Sequence, residues 1–193
     1  HLREDRRHIQ DADVEAIRML PRVRLNLEMA MTDEMQKIAL RLRPHAVCIV
    51  PEKRQELTTE GGLDVKGHFE KLQKVIDKLH SNEIEVSLFI DPNSEIIELS
   101  SQLEVEWIEL HTGTFANIYA MLNTNLRFTQ HSIKELELPK EKLKEKLEHS
   151  LENIKISSSY AVNLGLKVAA GHGLNYQNVR NICEIKDIIE LNI

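Results

Sequence analysis

Cysteine is almost missing from this chain. There are two among 193 residues, Cys48 and Cys183, and no CxxC spacing. They imply no disulfide framework, and a reducing cytoplasm is the expected setting. An excess of basic charge is missing too. Twenty-five Lys and Arg face 31 Asp and Glu, leaving a net charge of −6. That gives no electrostatic reason to expect nucleic acid or an anionic membrane as a partner. No apolar run approaches the roughly 18 residues that a membrane span needs, and the charged start HLREDRRH is not a signal peptide. Several motifs are absent as well. No GxGxxG follows a strand and there is no P-loop lysine, so dinucleotide and nucleotide readings lose their main support. His1 and His8 lack ligand spacing, and without an HExxH or a carboxylate cage a metal site is disfavoured. Lys167 is the one weak candidate for a Schiff-base lysine.

What is present is ordinary for a globular domain: 41% hydrophobic and 29% charged residues, in a chain long enough to bury a core. The organising stretch is Ala46 to Val65, AVCIVPEKRQELTTEGGLDV. It opens as a buried β-branched strand, and Pro51 ends the ladder because it has no N–H to donate. A loop rich in charge, Thr and Gly follows, carrying Glu52, Lys53, Arg54, Glu56, Thr58, Thr59 and Glu60 before Gly61-Gly62. A solvated surface loop would look similar in isolation, but the pattern of strand and then polar loop recurs along the chain.

The periodicity predicts helices over Asp11–Leu20, Thr32–Leu42, Gly67–His80 and Ser94–Leu103, with another in the region of Leu143, Leu147, Leu151 and Ile154, and one over Asn175–Glu184. Strands are predicted over Arg24–Met29, Ala46–Val50, Glu85–Ile90, Val105–Leu110, Leu166–Ala169 and Ile188–Ile193. Strand and helix alternate throughout, which argues for a parallel sheet with crossover helices. An open doubly wound sheet also fits. Polar residues at nearly every strand's C-terminal end favour a (β/α)8 TIM barrel, where such ends converge on one face. About six complete strands, plus a strand tail at His1, fall short of a barrel of ~250 residues. The expectation is therefore one barrel domain, residues 1–193, lacking its first strand–helix unit and last helix and extending beyond both ends shown.

Six strand-end residues form the candidate constellation: His1, Arg3, Glu28, Thr58, Glu109 and His172. Two histidines and two carboxylates around one barrel mouth suit repeated proton transfer. Arg3, Arg6, Arg7, Lys53 and Arg54 offer charge for anionic groups, arginine suiting phosphate best. Gly171 and Gly173 permit close backbone approach to a ligand. Each has a plainer alternative. His172 fits an ordinary loop histidine, Glu109 fits a partner of a neighbouring cation, and Arg6 and Arg7 fit solvated or structural roles. Glu28, inside an apolar strand, is expected to be buried, where an unpaired carboxylate is costly.

Taken in order, HLREDRRHI, LNLEMA, VPEKRQELTTEGGLDV, SLFID, IELHTG, AGHGLNYQNV and ELNI closely resemble pyridoxine 5′-phosphate synthase of the deoxyxylulose-dependent vitamin B6 pathway. The resemblance implies a TIM barrel with added helices, a homo-octamer, and no metal or organic cofactor. It implies condensation of 1-deoxy-D-xylulose 5-phosphate with 3-amino-2-oxopropyl phosphate to give pyridoxine 5′-phosphate, inorganic phosphate and water. Carried over motif by motif, it makes His1 and Glu28 proton acceptors, His172 the proton donor, and Glu109 a transition-state stabiliser. Arg3, His8 and Thr58 would hold the deoxyxylulose phosphate, and Gly173 the amino-ketone phosphate. The chain departs from the family where Ala169 stands for the usual asparagine of NAGHG and where Ile118–Leu138 reads as an insertion. The family's first strand and the Gly-His that follows ELNI lie outside these residues. The rival readings are another sugar-phosphate barrel enzyme, an isomerase or aldolase, and a non-catalytic phosphate-binding relative. Both carboxylates and both histidines are present, which speaks against the scaffold.

Overall fold

The computed structural model describes residues 1–56, 58 and 61–193; Thr59 and Glu60 of the polar loop lie outside them. Six parallel strands form one curled, half-barrel sheet: β1 (Asn26–Met29), β2 (Ala46–Ile49), β3 (Glu85–Ile90), β4 (Trp107–His111), β5 (Lys167–Gly171) and β6 (Ile188–Asn192). Spatial order follows chain order from β1 to β6. A doubly wound sheet would reverse its order at a switch point, so this order separates the two readings that the alternation left open.

Helix α1 (Asp11–Met19) precedes β1, and the crossovers are helical: α2 (Asp33–Leu42), α3 (Phe69–His80), α4 (Ser94–Gln102), α5 (Gly113–Asn123), α6 (Lys140–Asn163) and α7 (Val179–Cys183). Thr32 caps α2 by accepting from Met35 N at 3.5 Å, and Asn93 caps α4 by accepting from Ile96 N at 3.2 Å. Each cap meets a first-turn N–H that has no partner within its helix.

Strict alternation fails at one place, between β4 and β5, where α5 and α6 both intervene. Helix α5 is almost wholly uncharged and apolar on several sides, which hides its period. It buries Phe115, Ala116, Ile118 and Met121, and a small second core joins Ile118 and Met121 to Leu143 of α6. The stretch read as an insertion therefore begins inside α5 and continues through two 3₁₀ turns, Leu126–Phe128 and Lys134–Leu136. Helix α7 is shorter than expected because Asn175 Oδ1 accepts from Gln177 N and Asn178 N, folding the preceding residues into a turn. The segment at His1 is tied to β1 through Leu2 N–H to the Glu28 carbonyl at 3.1 Å.

The pleat sends alternate side chains to opposite faces. Leu27, Met29, Val47, Ile49, Val86, Leu88, Ile90, Ile108, Leu110, Val168 and Ala170 bury against the helices in the main core. Each such side chain, fully buried, contributes roughly 1.5–3 kcal/mol, less for Ala. The other, concave face carries Glu28, Cys48, Ser87, Phe89, Glu109, Ala169 and Asn192. The sheet's polar side chains thus lie on the inner face, while the outer face packs into the main core. No helix among the described residues is long and apolar enough to cross a membrane.

Candidate active site

A cleft of about 720 Å³ opens at the C-terminal strand ends, lined by His1, Arg3, Glu28, Glu109, His172 and Gly173 among others. Six of the eight residues singled out from the sequence thus share one space. The other two do not line it. Thr58 lies behind it, its hydroxyl bonded to Asp91, and His8 is exposed in the turn before α1.

Glu28 is not the buried carboxylate expected from its apolar neighbours. Leu27 and Met29 point to the core, but the pleat turns Glu28 inward to the cleft, where its side chain is 33% exposed. The buried carboxylate is Glu109, 4% exposed. Among the described residues, no cation is paired with it. Asn192 Nδ2 donates to its Oε2 at 2.7 Å, and the Cys48 thiol approaches the same oxygen at 3.7 Å. Burial, reinforced by the negative charge of Glu28, lifts its pKa to about 7. The same burial and the carboxylates Glu109 and Glu28 push the Cys48 thiol well up, keeping it protonated.

Two local features bring Glu109 and Asn192 together. A bulge between Val168 and Ala169 in the β5–β6 register leaves Ile189 over and sets Asn192 opposite Gly171, re-aiming the strand as bulges do. A Cβ at Gly171 would collide with the Glu109 carboxylate, so the glycine leaves that space to the acid.

His1 sits between two carboxylates. Its Nε2 lies 2.9 Å from Glu52 Oε1 and its Nδ1 lies 3.6 Å from Glu28 Oε2. Glu52 is 4% exposed at the side chain. Its other oxygen accepts from Glu4 N at 3.0 Å. The start of its loop is fixed in turn by buried Glu56, which accepts from Glu52 N and Lys53 N.

His172 follows β5 with φ +78, a left-handed backbone that is uncommon outside glycine. Thr112 Oγ1 lies 2.7 Å from both the Gly171 and His172 carbonyls and so can bond either, bracing the turn. The His172 ring stands 4.8 Å from the His111 ring and 6.0 Å from Phe89. Its pKa is lowered, first by burial and then by the nearby His111, against a smaller raising effect of Glu28. Behind it, His111 Nδ1 lies 3.4 Å from Asp91 Oδ1, both residues buried. Burial alone would raise Asp91, but bonds from His111, Thr58 and Gly62 N outweigh it and hold the acid below its ordinary range.

Arg3 contacts Asp5 at 3.2 Å and still lines the cleft. Arg6 is structural. It ties Asp11, Glu34 and the Arg3 and Glu4 carbonyls together. Sequence reasoning counted Glu52 only among the charges of its loop and gave Asn192, Asp91 and His111 no part. The available signal was position, since all four stand at or just past a strand end. Among the described residues, no three His, Cys, Asp or Glu side chains are grouped to hold a metal ion.

The arrangement places in one cleft an imidazole beside the Glu28 carboxylate, a carboxyl whose pKa is lifted to about 7, and a second imidazole, His172, whose pKa is lowered. The family model described as pyridoxal phosphate biosynthesis protein PdxJ matches residues 1–193. A pyridoxine 5′-phosphate synthase of Aliarcobacter butzleri is 65% identical over 193 residues, all of this chain and 74% of that protein. Proteins of the same name from a Sulfurovum species and Sulfurimonas denitrificans are 58% and 53% identical, again over all of this chain and over 75% and 74% of theirs. This chain belongs to the PdxJ family of pyridoxal phosphate biosynthesis proteins.

Proposed function

We propose that this protein is a pyridoxine 5′-phosphate synthase that condenses 1-deoxy-D-xylulose 5-phosphate with 3-amino-2-oxopropyl phosphate, releasing pyridoxine 5′-phosphate, inorganic phosphate and water. The observation that carries the reading is the single cleft onto which His1, Glu28, Glu109 and His172 all open, in a chain of this family. Family membership also removes the scaffold and the unrelated isomerase or aldolase as competing readings.

Making a pyridine ring from an amine and a ketose phosphate requires protons to leave and return at several carbons and oxygens. One group cannot serve them all. In this reading His1 and Glu28 take protons at neighbouring positions. Glu109, with a pKa of about 7, is divided between its two protonation states near neutrality. Its protonated form would donate to an oxygen that gains negative charge, and Asn192 keeps the carboxyl oriented for it. His172, whose pKa is lowered, releases its proton more readily than an ordinary imidazolium and acts as donor to a departing oxygen.

Arg3 supplies a charged fork for the deoxyxylulose phosphate. The amino-ketone phosphate rests against Gly173, which has no side chain to block it. The roles of His8 and Thr58 in holding the deoxyxylulose phosphate are taken from the family resemblance alone. The half-barrel belongs, on this reading, to a TIM (β/α)8 barrel in which residues 1–193 are one domain, assembled as a homo-octamer in the cytoplasm. The sequential order of six parallel strands supports the barrel. Neither a metal nor an organic cofactor enters the proposed chemistry.

The test is to incubate purified protein with both phosphates and follow pyridoxine 5′-phosphate and inorganic phosphate by chromatography and mass spectrometry. Equimolar release of the two products is expected, with added inorganic phosphate competing against both substrates. Failure to form pyridoxine 5′-phosphate from folded protein would overturn the reading.

A further inference from the structure

Glu52 takes no part in the roles carried over from the family resemblance, yet its surroundings are built. Pro51 ends the β2 ladder and Glu52 follows at once, so the chain turns with this side chain directed at His1, 51 residues away in sequence. The carboxylate is nearly inaccessible and both oxygens are engaged, Oε1 with His1 Nε2 at 2.9 Å and Oε2 with Glu4 N at 3.0 Å. Its own N–H is held by buried Glu56. A carboxylate this buried and this fully bonded fixes whatever it contacts, because withdrawing the contact would strand a desolvated charge.

We propose that Glu52 is a positioning residue for His1, holding the imidazole with its proton on Nε2 so that Nδ1, beside Glu28, is the nitrogen that accepts a proton from substrate. This rests on the reading of His1 as a base. The logic is that of any base oriented by a buried carboxylate. An ionised carboxylate can only accept, so His1 Nε2 must donate, and the neutral ring then has its lone pair on Nδ1. The 3.6 Å from Nδ1 to Glu28 Oε2 is too long for a hydrogen bond. Nδ1 and the Glu28 carboxylate therefore present two acceptors side by side to the cleft. When Nδ1 takes the substrate proton, the ring becomes an imidazolium whose charge Glu52 offsets through the Nε2–H bond. Deprotonation by water or by a leaving hydroxyl restores the neutral ring, and Glu52 keeps its charge throughout.

Among the described residues, the charged groups against the His1 ring are Glu28 from β1 and Glu52 from the loop after β2, and Arg3 of its own segment lines the same cleft. Substituting Glu52→Gln keeps the size of the side chain and one acceptor oxygen, removes the charge, and puts an NH2 donor where one of the two oxygens stood. The expected result is a fall in kcat of about 10²-fold, the lower end of what losing a general base costs, with KM little changed. The acid limb of the kcat profile should move to lower pH. Glu52→Asp, which keeps the charge, should recover part of the rate at the wild-type pH dependence. A purely structural clip would lower the melting temperature and leave the pH limb in place, and that outcome overturns the proposal. Nitrogen-15 NMR of histidine-labelled wild-type protein gives an independent answer that needs no variant. The proton on His1 Nε2 is expected, and a proton on Nδ1 instead overturns the assignment. His1→Gln separates the two layers. Normal turnover in that variant removes His1 itself as a base. Normal turnover in Glu52→Gln beside an inactive His1→Gln removes only Glu52.

Discussion

Glu109 and Asn192 meet at 2.7 Å across the concave face, one from β4 and one from β6. An uncharged amide thus bonds a buried carboxylate that, among the described residues, has no cation partner. Burial and the charge of Glu28 raise that carboxylate from its ordinary value near 4.5 to about 7. A carboxyl that holds its proton more tightly folded than unfolded stabilises the fold fully below about pH 4.5, and the contribution is lost as pH rises through about 7. The size is about 3 kcal/mol. Wild-type protein should therefore lose stability between about pH 5 and pH 8 relative to Glu109→Gln, whose amide still accepts from Asn192. Urea unfolding across that range checks it. Parallel stability curves for the two proteins would contradict the raised pKa.

The His111 and His172 rings, 4.8 Å apart, give a second prediction. His172 is lowered from an ordinary 6.5 by burial first and His111 next, with Glu28 opposing. In an NMR titration its midpoint should lie below 6.5 in wild-type protein. His111→Phe, which keeps an aromatic ring against Phe89 but removes the charge, should raise it. Glu28→Gln should lower it further. A wild-type midpoint at or above 6.5 would contradict this account.

Gly173 has φ +78, and a Cβ there would lie 2.8 Å from the Ala116 Cβ. Gly173→Ala should cost about 1–2 kcal/mol for the left-handed backbone alone, lowering Tm by roughly 2–8 °C. If Gly173 receives the amino-ketone phosphate, KM for that substrate should rise more than KM for the deoxyxylulose phosphate. An equal effect on both would place the strain elsewhere than at that phosphate.

Much of this was legible in the sequence, for identifiable reasons. Strand β3, Glu85–Ile90, is a run of six bounded by a turn and by Asp91-Pro92, and its predicted and observed limits coincide. Parallel strands with both faces covered read as apolar runs, which fixed where they lie but not which way each residue points. The apolar neighbours of Glu28 therefore predict burial, whereas the pleat delivers it to the cleft. Helix α5 was hidden by its lack of charge. Glu52 was invisible as a partner of His1 because their contact spans 51 residues and depends on how Pro51 turns the chain. Nor could strand pattern predict the bulge at Ile189, and without the bulge Asn192 would not reach Glu109.

The central claim is that proton removal in this cleft drives ring closure, with Glu28 as one of the bases. The direct measurement is steady-state turnover of Glu28→Gln beside wild type, with substrate binding measured separately by calorimetry. Glutamine keeps the shape and the hydrogen-bonding capacity and removes the basic oxygen. The account predicts unchanged folding and binding, with kcat lower by ~10²–10⁴-fold. A loss of less than about tenfold, roughly 1.4 kcal/mol of barrier, would contradict it.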